Sequence, residues 1–231
     1  MVNWLGLPGL GAERVADILY GFGNHGVPIT INFMSTPGKQ GSELLADLQK
    51  TARITKELPF VDAWQLNISC PNTHGSSGQD SRRDYQKQLG AMFGAVEEVI
   101  GYVPRLEVKV SPDLDIKRVR DIVDVSSNHS VVSKFVIGNT TTEHDSDYIE
   151  FSPGVGGASG DAVYNRSFAV QKMFANEIES RGLPHGLRVC GGIRSAQRAR
   201  QRVSYGPVKG IEFFTPLIYE GPKLLRELRA A

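Results

Sequence analysis

Short apolar runs alternate with helical patterns from one end of this chain to the other, and that alternation limits the fold more than any other feature. Strands are expected at residues 28–33, 63–68, 106–110, 135–138, 187–190 and 211–214. Helices are expected over residues 12–20, from a Ser42 cap through Leu44, Leu45, Leu48 and Ala52, and along Leu89, Met92, Phe93, Val96, Val99 and Ile100. Others follow over 115–125 and 167–180, in a short segment after Gly192, and from Pro222 onward. Strand-helix alternation of this kind argues an α/β fold with a parallel sheet and right-handed crossovers. Asn67, Lys109, Asn139, Gly191 and Thr215 all fall at or just beyond strand C-termini. In a (β/α)8 barrel that end is the catalytic face, whereas a doubly wound sheet gathers its ligand residues at one crevice.

Composition narrows the class. The chain has 231 residues, enough for one domain over 1–231, with 26 basic against 25 acidic side chains and a net charge of +1. That balance gives no global pull toward nucleic acid or an acidic membrane surface. No apolar run approaches the ~18 residues of a membrane span, and the first residues do not read as a signal peptide. The two cysteines, Cys70 and Cys190, cannot form a disulfide framework, and the five histidines stand apart, so no metal is expected. A cytoplasmic protein is the expectation. Four Asn-x-Ser/Thr matches, at Asn67, Asn128, Asn139 and Asn165, are then chance.

Leu66-Asn67-Ile68-Ser69-Cys70-Pro71-Asn72-Thr73 crowds amides, a hydroxyl and a thiol at one strand tip. Amides there need partners, either within a polar turn around a buried cysteine or from a ligand. Asn139 and Asn3 extend the set, which suits a planar imide or amide. In that company Cys70 fits a proton acceptor, once its ordinary pKa of ~8.5 is lowered or the proton relayed. Cys190 reads as packing. Lys109 sits among Leu106, Val108 and Val110, either snorkelling to water or stabilising electron density on a bound ring. Gly191-Gly192 and Thr215 follow the last two strands, where barrels bind phosphate through backbone N–H groups. The loop from Asn139 to Gly160 is too long for a mere connector. Arg194, Arg198 and Arg202 recur every four residues and read as a solvated helix face.

Taken in order, Asn3-x-x-Gly6-Leu7-Pro8, Asn67-Ile68-Ser69-Cys70-Pro71-Asn72-Thr73, Val108-Lys109-Val110-Ser111-Pro112-Asp113, Asn139-Thr140-Thr141, Gly156-Gly157-Ala158-Ser159-Gly160, Cys190-Gly191-Gly192-Ile193 and Phe214-Thr215 resemble the dihydroorotate dehydrogenases. The resemblance implies a (β/α)8 barrel binding FMN. It implies Cys70 as the base acting on C5 of dihydroorotate while hydride leaves C6, with orotate as product. It assigns Asn3, Asn67, Asn72, Asn139 and Thr140 to the substrate, Asn32 and Lys109 to the isoalloxazine, and Gly160, Gly191, Gly192 and Thr215 to the ribityl-phosphate path. A cysteine base and the Asn-x-x-Gly-Leu-Pro motif look like the soluble class; Asn32 and Asn72-Thr73 look like the membrane-associated class. The electron acceptor stays open among fumarate, quinone and NAD through a partner subunit, and a second copy or an electron-transfer subunit are the protein partners allowed. The family barrel has eight strands and this chain offers six, so an N-terminally truncated barrel is expected, short of about two βα units, roughly 60 residues. Pro216, Pro207 and Glu212 depart from the family pattern. A dihydropyrimidine dehydrogenase-like enzyme and a non-catalytic fragment are the alternatives.

Overall fold

The computed structural model describes residues 1–3, 9–23, 26–69, 82–103, 105–143 and 156–229, with the backbone alone at Asn3 and Arg229. Its elements run β1 (Val2–Asn3), α1 (Ala12–Phe22), β2 (Ile29–Phe33), α2 (Gly41–Lys56), β3 (Val61–Asn67), α3 (Arg82–Ile100), β4 (Leu106–Val110), α4 (Ile116–Ser126), β5 (Val132–Ile137), β6 (Gly157–Ala158), α5 (Asp161–Ser180), β7 (Gly186–Cys190), α6 (Ala196–Val203), β8 (Val208–Glu212), α7 (Thr215–Glu220) and α8 (Lys223–Arg229). Six strands make one all-parallel sheet in the order β2-β3-β4-β5-β7-β8. The spatial order follows the chain order without reversal, so the sheet lacks the switch point of a doubly wound fold.

The sheet also curls. Gln65 on β3 donates to Glu212 on β8 at 2.8 Å, although four strand spacings of about 4.8 Å would hold those strands roughly 19 Å apart in a flat sheet. This is the curl of a (β/α)8 barrel, carried by six of its strands.

Strand alternation decides what each face holds. On β4, Leu106, Val108 and Val110 are at most 1% exposed and turn toward the helices. Between them Glu107 and Lys109 turn into the lumen, where the ion pairs described below form. Leu66, Phe135, Ile137 and Leu187 join the outer layer and meet Phe93 of α3, Ile122 of α4 and Phe174 of α5. Each such buried side chain contributes roughly 1.5–3 kcal/mol. These contacts fix the strands, and hence the strand ends that carry the polar residues.

Several local expectations need correction. Ser42 is not a cap: α2 starts at Gly41, with Gln40 as N-cap and no side-chain cap bond. Asp115 does cap α4, accepting from the Arg118 N–H at 2.8 Å. The helix expected from residue 167 begins at Asp161, because Gly160 turns the chain at φ 77° and Val163 and Tyr164 are already buried. The last strand ends at Glu212; Phe214 is 66% exposed and precedes α7. Pro216 therefore lies in the first turn of α7, where a missing N–H removes no helical bond. Val2–Asn3 and Gly157–Ala158 are short strands: β1 and β6 pair antiparallel, and Ala158 also bridges to Thr141.

Candidate active site

All six strands of the sheet point the same way, so their C-terminal residues share one mouth. Asn67 ends β3 opposite Lys109 of β4. Its carboxamide oxygen accepts from the Ser69 N–H at 3.1 Å and the Ser69 hydroxyl at 2.7 Å. The Ser69 hydroxyl in turn accepts from Asn139 Nδ2 at 2.8 Å, and Asn139 Oδ1 accepts from the Thr140 N–H at 2.9 Å. Three residues assigned to substrate, Asn67, Asn139 and Thr140, thus form one network around a buried serine that had drawn no separate assignment. Next along the chain, the Thr141 hydroxyl donates to Asp113 of the β4 loop at 2.6 Å. Burial pushes the Asp113 carboxyl up, against the opposing pull of Thr141 and Arg166. Cys70, Asn72, the Gly6-Leu7-Pro8 motif and most of the loop after Thr142 lie outside the described residues, as does the side chain of Asn3.

Below this rim the lumen carries charge. Asn32 of β2 donates to Gln65, which donates to Glu212 at 2.8 Å and to Glu107 at 3.3 Å. Lys109 Nζ lies 3.8 Å from Glu212. The two residues assigned to the isoalloxazine, Asn32 and Lys109, are therefore joined through Gln65 and Glu212. Glu107, fully buried, pairs with Arg188 at 2.9 Å and Lys134 at 3.4 Å, and Arg188 reaches Glu212 at 3.7 Å. Glu107, Lys134, Arg188 and Gln65 were not expected as site neighbours. Part of their signal was in the sequence: polar residues recurring every second position inside apolar strands, at 65 and 67 and at 107 and 109, whereas Lys134 and Arg188 stand without such a neighbour. Cys190 neighbours Glu212 across β7 and β8, and burial pushes its thiol up, away from reactivity.

On the α5 and α6 side, a cleft of about 320 Å³ is lined by Ser159, Gly160, Gly192, Arg194 and Thr215, together with Met1, Val2 and the carboxylates Asp161 and Glu220, the first of which is paired by Arg194 and Arg198. Thr215 donates to the Ser159 hydroxyl at 2.9 Å. Gly160 and Gly192 hold positive φ, and a Cβ on Gly192 would meet the Gly160 carbonyl at 2.7 Å, so the close backbone approach requires glycine. Gly191 stands behind the cleft: a Cβ there would meet Ser167 and Val163 instead.

The arginine stripe divides. Arg194 and Arg198 both reach Asp161 at the start of α5, and Arg198 also donates to the Gly192 carbonyl at 2.8 Å. Arg202 is not on a solvated face. It is fully buried, donating to Ser167 at 2.8 Å and, more distantly, to the carbonyls of Cys190 and Gly191. Burial pushes its guanidinium down to about 10, so it remains charged at neutral pH. A four-residue spacing puts charges on one helix face but leaves open which way that face turns.

A family model described as dihydroorotate dehydrogenase matches residues 1–230. A dihydroorotate dehydrogenase (quinone) of Acidithiobacillus ferrooxidans is 30% identical over 236 residues, covering 99% of this chain and 62% of that protein. One from Sphingopyxis alaskensis is 26% identical, covering 97% and 60%. The chain thus spans about 60% of the length of these relatives. A ligand-free DHODH structure from Eimeria tenella superposes with a TM-score of 0.70 at 22% identity, covering 95% of this chain and 63% of that one, a likeness of fold. No helix among the described residues is long and apolar enough to cross a membrane. A single family match running through nearly every strand and helix described above makes this chain a member of the dihydroorotate dehydrogenase family.

Proposed function

We propose that this chain forms the substrate and flavin mouth of an enzyme that oxidises dihydroorotate to orotate in pyrimidine biosynthesis. The observation that carries the reading is the convergence of three sets at one end of the sheet: Asn67–Ser69–Asn139, Asn32–Gln65–Glu212–Lys109, and the glycine cleft of Gly160, Gly192 and Thr215.

The residues fit FMN. The cleft lacks side-chain bulk where Gly160 and Gly192 face each other, and α6 brings arginines to its back, as an anionic phosphate needs. Gly160, Gly192 and Thr215 would line the phosphate, Gly191 would support the turn, and Asn32 and Lys109 would meet the ring system. FMN, when bound, supplies the hydride acceptor. Lys109 places a cation where negative charge would build on the ring, and Glu212 tempers that cation from 3.8 Å. Asn67 and Asn139, with Thr140 beside them and Asn3 and Asn72 by resemblance, would present amide donors and acceptors to a flat ring with a carboxylate. Cys70 follows Ser69 in the chain and would take the C5 proton. A quinone is the electron acceptor this reading favours, since the compared relatives are named for it.

FMN titration of the full chain, followed by turnover of dihydroorotate with a soluble quinone, tests the reading. FMN binding with orotate formation is expected. Cys70→Ala should keep FMN and lose at least about 100-fold in turnover, the scale of a general base. Absent FMN binding would overturn the assignment, and unchanged turnover in Cys70→Ala would remove the thiol from the reaction. Preference for dihydrouracil over dihydroorotate would move the chain to a dihydropyrimidine dehydrogenase-like activity.

A further inference from the structure

We infer that Arg202 is a positioning residue of the phosphate cradle, holding the Cys190–Gly192 turn with its N–H donors toward the cleft and supplying a buried positive charge for an anion bound there. This inference rests on the flavin reading above.

Arginine is almost never fully buried unless paired. Arg202 is 0% exposed, yet among the described residues no carboxylate lies within ion-pair distance of it. Its partners are neutral: the Ser167 hydroxyl, the Gln171 carboxamide oxygen and the carbonyls of Cys190 and Gly191. The rings of Tyr164 and Phe168 stand 5.7 and 5.5 Å from its guanidinium carbon. Arg198, one turn earlier on α6, and Arg194, just before the helix, share Asp161 instead. A buried cation without an anion is costly, and a ligand anion at the adjoining cleft would relieve that cost.

The turn geometry says how. In a trans peptide the C=O and the following N–H point in opposite directions, and all described peptides are trans. Arg202 draws the Gly191 carbonyl inward at 3.4 Å, so the Gly192 N–H faces outward. Arg198 holds the Gly192 carbonyl at 2.8 Å, which turns the Ile193 N–H away from that side. Two successive amides with fixed direction make an anion-binding concavity. Gln171 fixes Arg202 in place: its Nε2 donates to the carbonyls of Arg202 and Tyr205 at 2.7 Å each, while its oxygen receives the guanidinium. Lysine would keep the charge but lose the fork that spans two carbonyls.

FMN and riboflavin differ only in the phosphate, so their affinity ratio isolates this site. The full chain, Arg202→Gln and Arg202→Lys are each titrated with both flavins by fluorescence quenching, with circular dichroism reporting the fold. The wild type should prefer FMN. Arg202→Gln should lose about tenfold in FMN affinity with riboflavin affinity unchanged, and Arg202→Lys should lose about threefold. An unchanged ratio in Arg202→Gln, or equal loss of both flavins, overturns the inference and leaves Arg202 as a packing residue. Should Arg202→Gln fail to fold, Arg202→Lys decides, and an unchanged ratio there overturns it too. A wild type that binds FMN and riboflavin equally removes the phosphate assignment itself, and this inference with it.

Discussion

Two arginines lie within the body of this protein in opposite circumstances. Arg188, on β7, reaches into the lumen between two carboxylates, Glu107 at 2.9 Å and Glu212 at 3.7 Å. Arg202, on α6, lies under a glycine turn and meets only neutral groups among the described residues. Both carry the same charge and both are fixed by several contacts. The lumen supplies its own counter-ions and is a structural floor; of the stripe of Arg194, Arg198 and Arg202, the last alone meets no carboxylate among the described residues, and it lies behind the turn that lines the cleft. Where a fold leaves a buried charge unbalanced, a ligand is the natural place to look for the balance.

The contrast can be broken most directly at Glu107. Replacing it with alanine leaves Lys134 and Arg188 short of a buried partner and should cost about 3 kcal/mol, the low end for a broken buried pair because both cations keep some contact with water. Urea unfolding reads this, and a loss under about 1 kcal/mol would mean that the floor is not a paired network. Gly192→Ala acts on the other side. The positive φ and the contact with the Gly160 carbonyl should together cost about 2 kcal/mol and weaken FMN binding more than tenfold. Normal FMN affinity in that variant would separate the turn from the cleft.

Asp47 gives a reference value for a paired carboxylate away from both regions. Burial pushes its carboxyl up, but the Lys39 ammonium and the Thr36 N–H and hydroxyl outweigh that and bring it to about 2. A folded pKa below the unfolded one gives stability that is present above pH ~4 and lost as pH falls toward 2, here about 2 kcal/mol. Asp47→Asn should flatten that part of the stability profile, and an unaltered acid limb would contradict it. The smallest effect is expected at Glu212. Glu212→Gln leaves Arg188 with Glu107 and frees Lys109, costing about 1 kcal/mol in stability. It should raise the two-electron potential of bound flavin by about 30 mV, a tenfold preference for the reduced form. An unmoved potential would detach Glu212 from the flavin's surroundings.

Much of this could be read from residue order alone. Strand-helix alternation located five strands of the sheet, each a short apolar run between turn residues, and reached only the end of β8, where Lys209 and Gly210 break the run. It also placed Asn67, Lys109 and Asn139 at strand ends, where the structure has them. What stayed hidden depended on direction rather than position. The stripe of Arg194, Arg198 and Arg202 looked like a wet surface because charge usually is; only the packing of α6 on Tyr164 and Phe168 turns its third member inward. The start of α5 was missed because Gly160 serves as N-cap without a side chain to advertise it. β1 and β6, two residues each, are too short to show a period. Some of the lumen charges were visible as alternation but carried no partner until the sheet curled.

The Ser69 hydroxyl has one hydrogen, and the network spends it on Asn67 while receiving one from Asn139. A rotor with both its roles taken cannot turn without breaking two bonds on two different strands. The tips of β3 and β5, which β4 separates, are thereby coupled into one plate, and whatever molecule settles on that plate finds its amides already aligned rather than having to gather them.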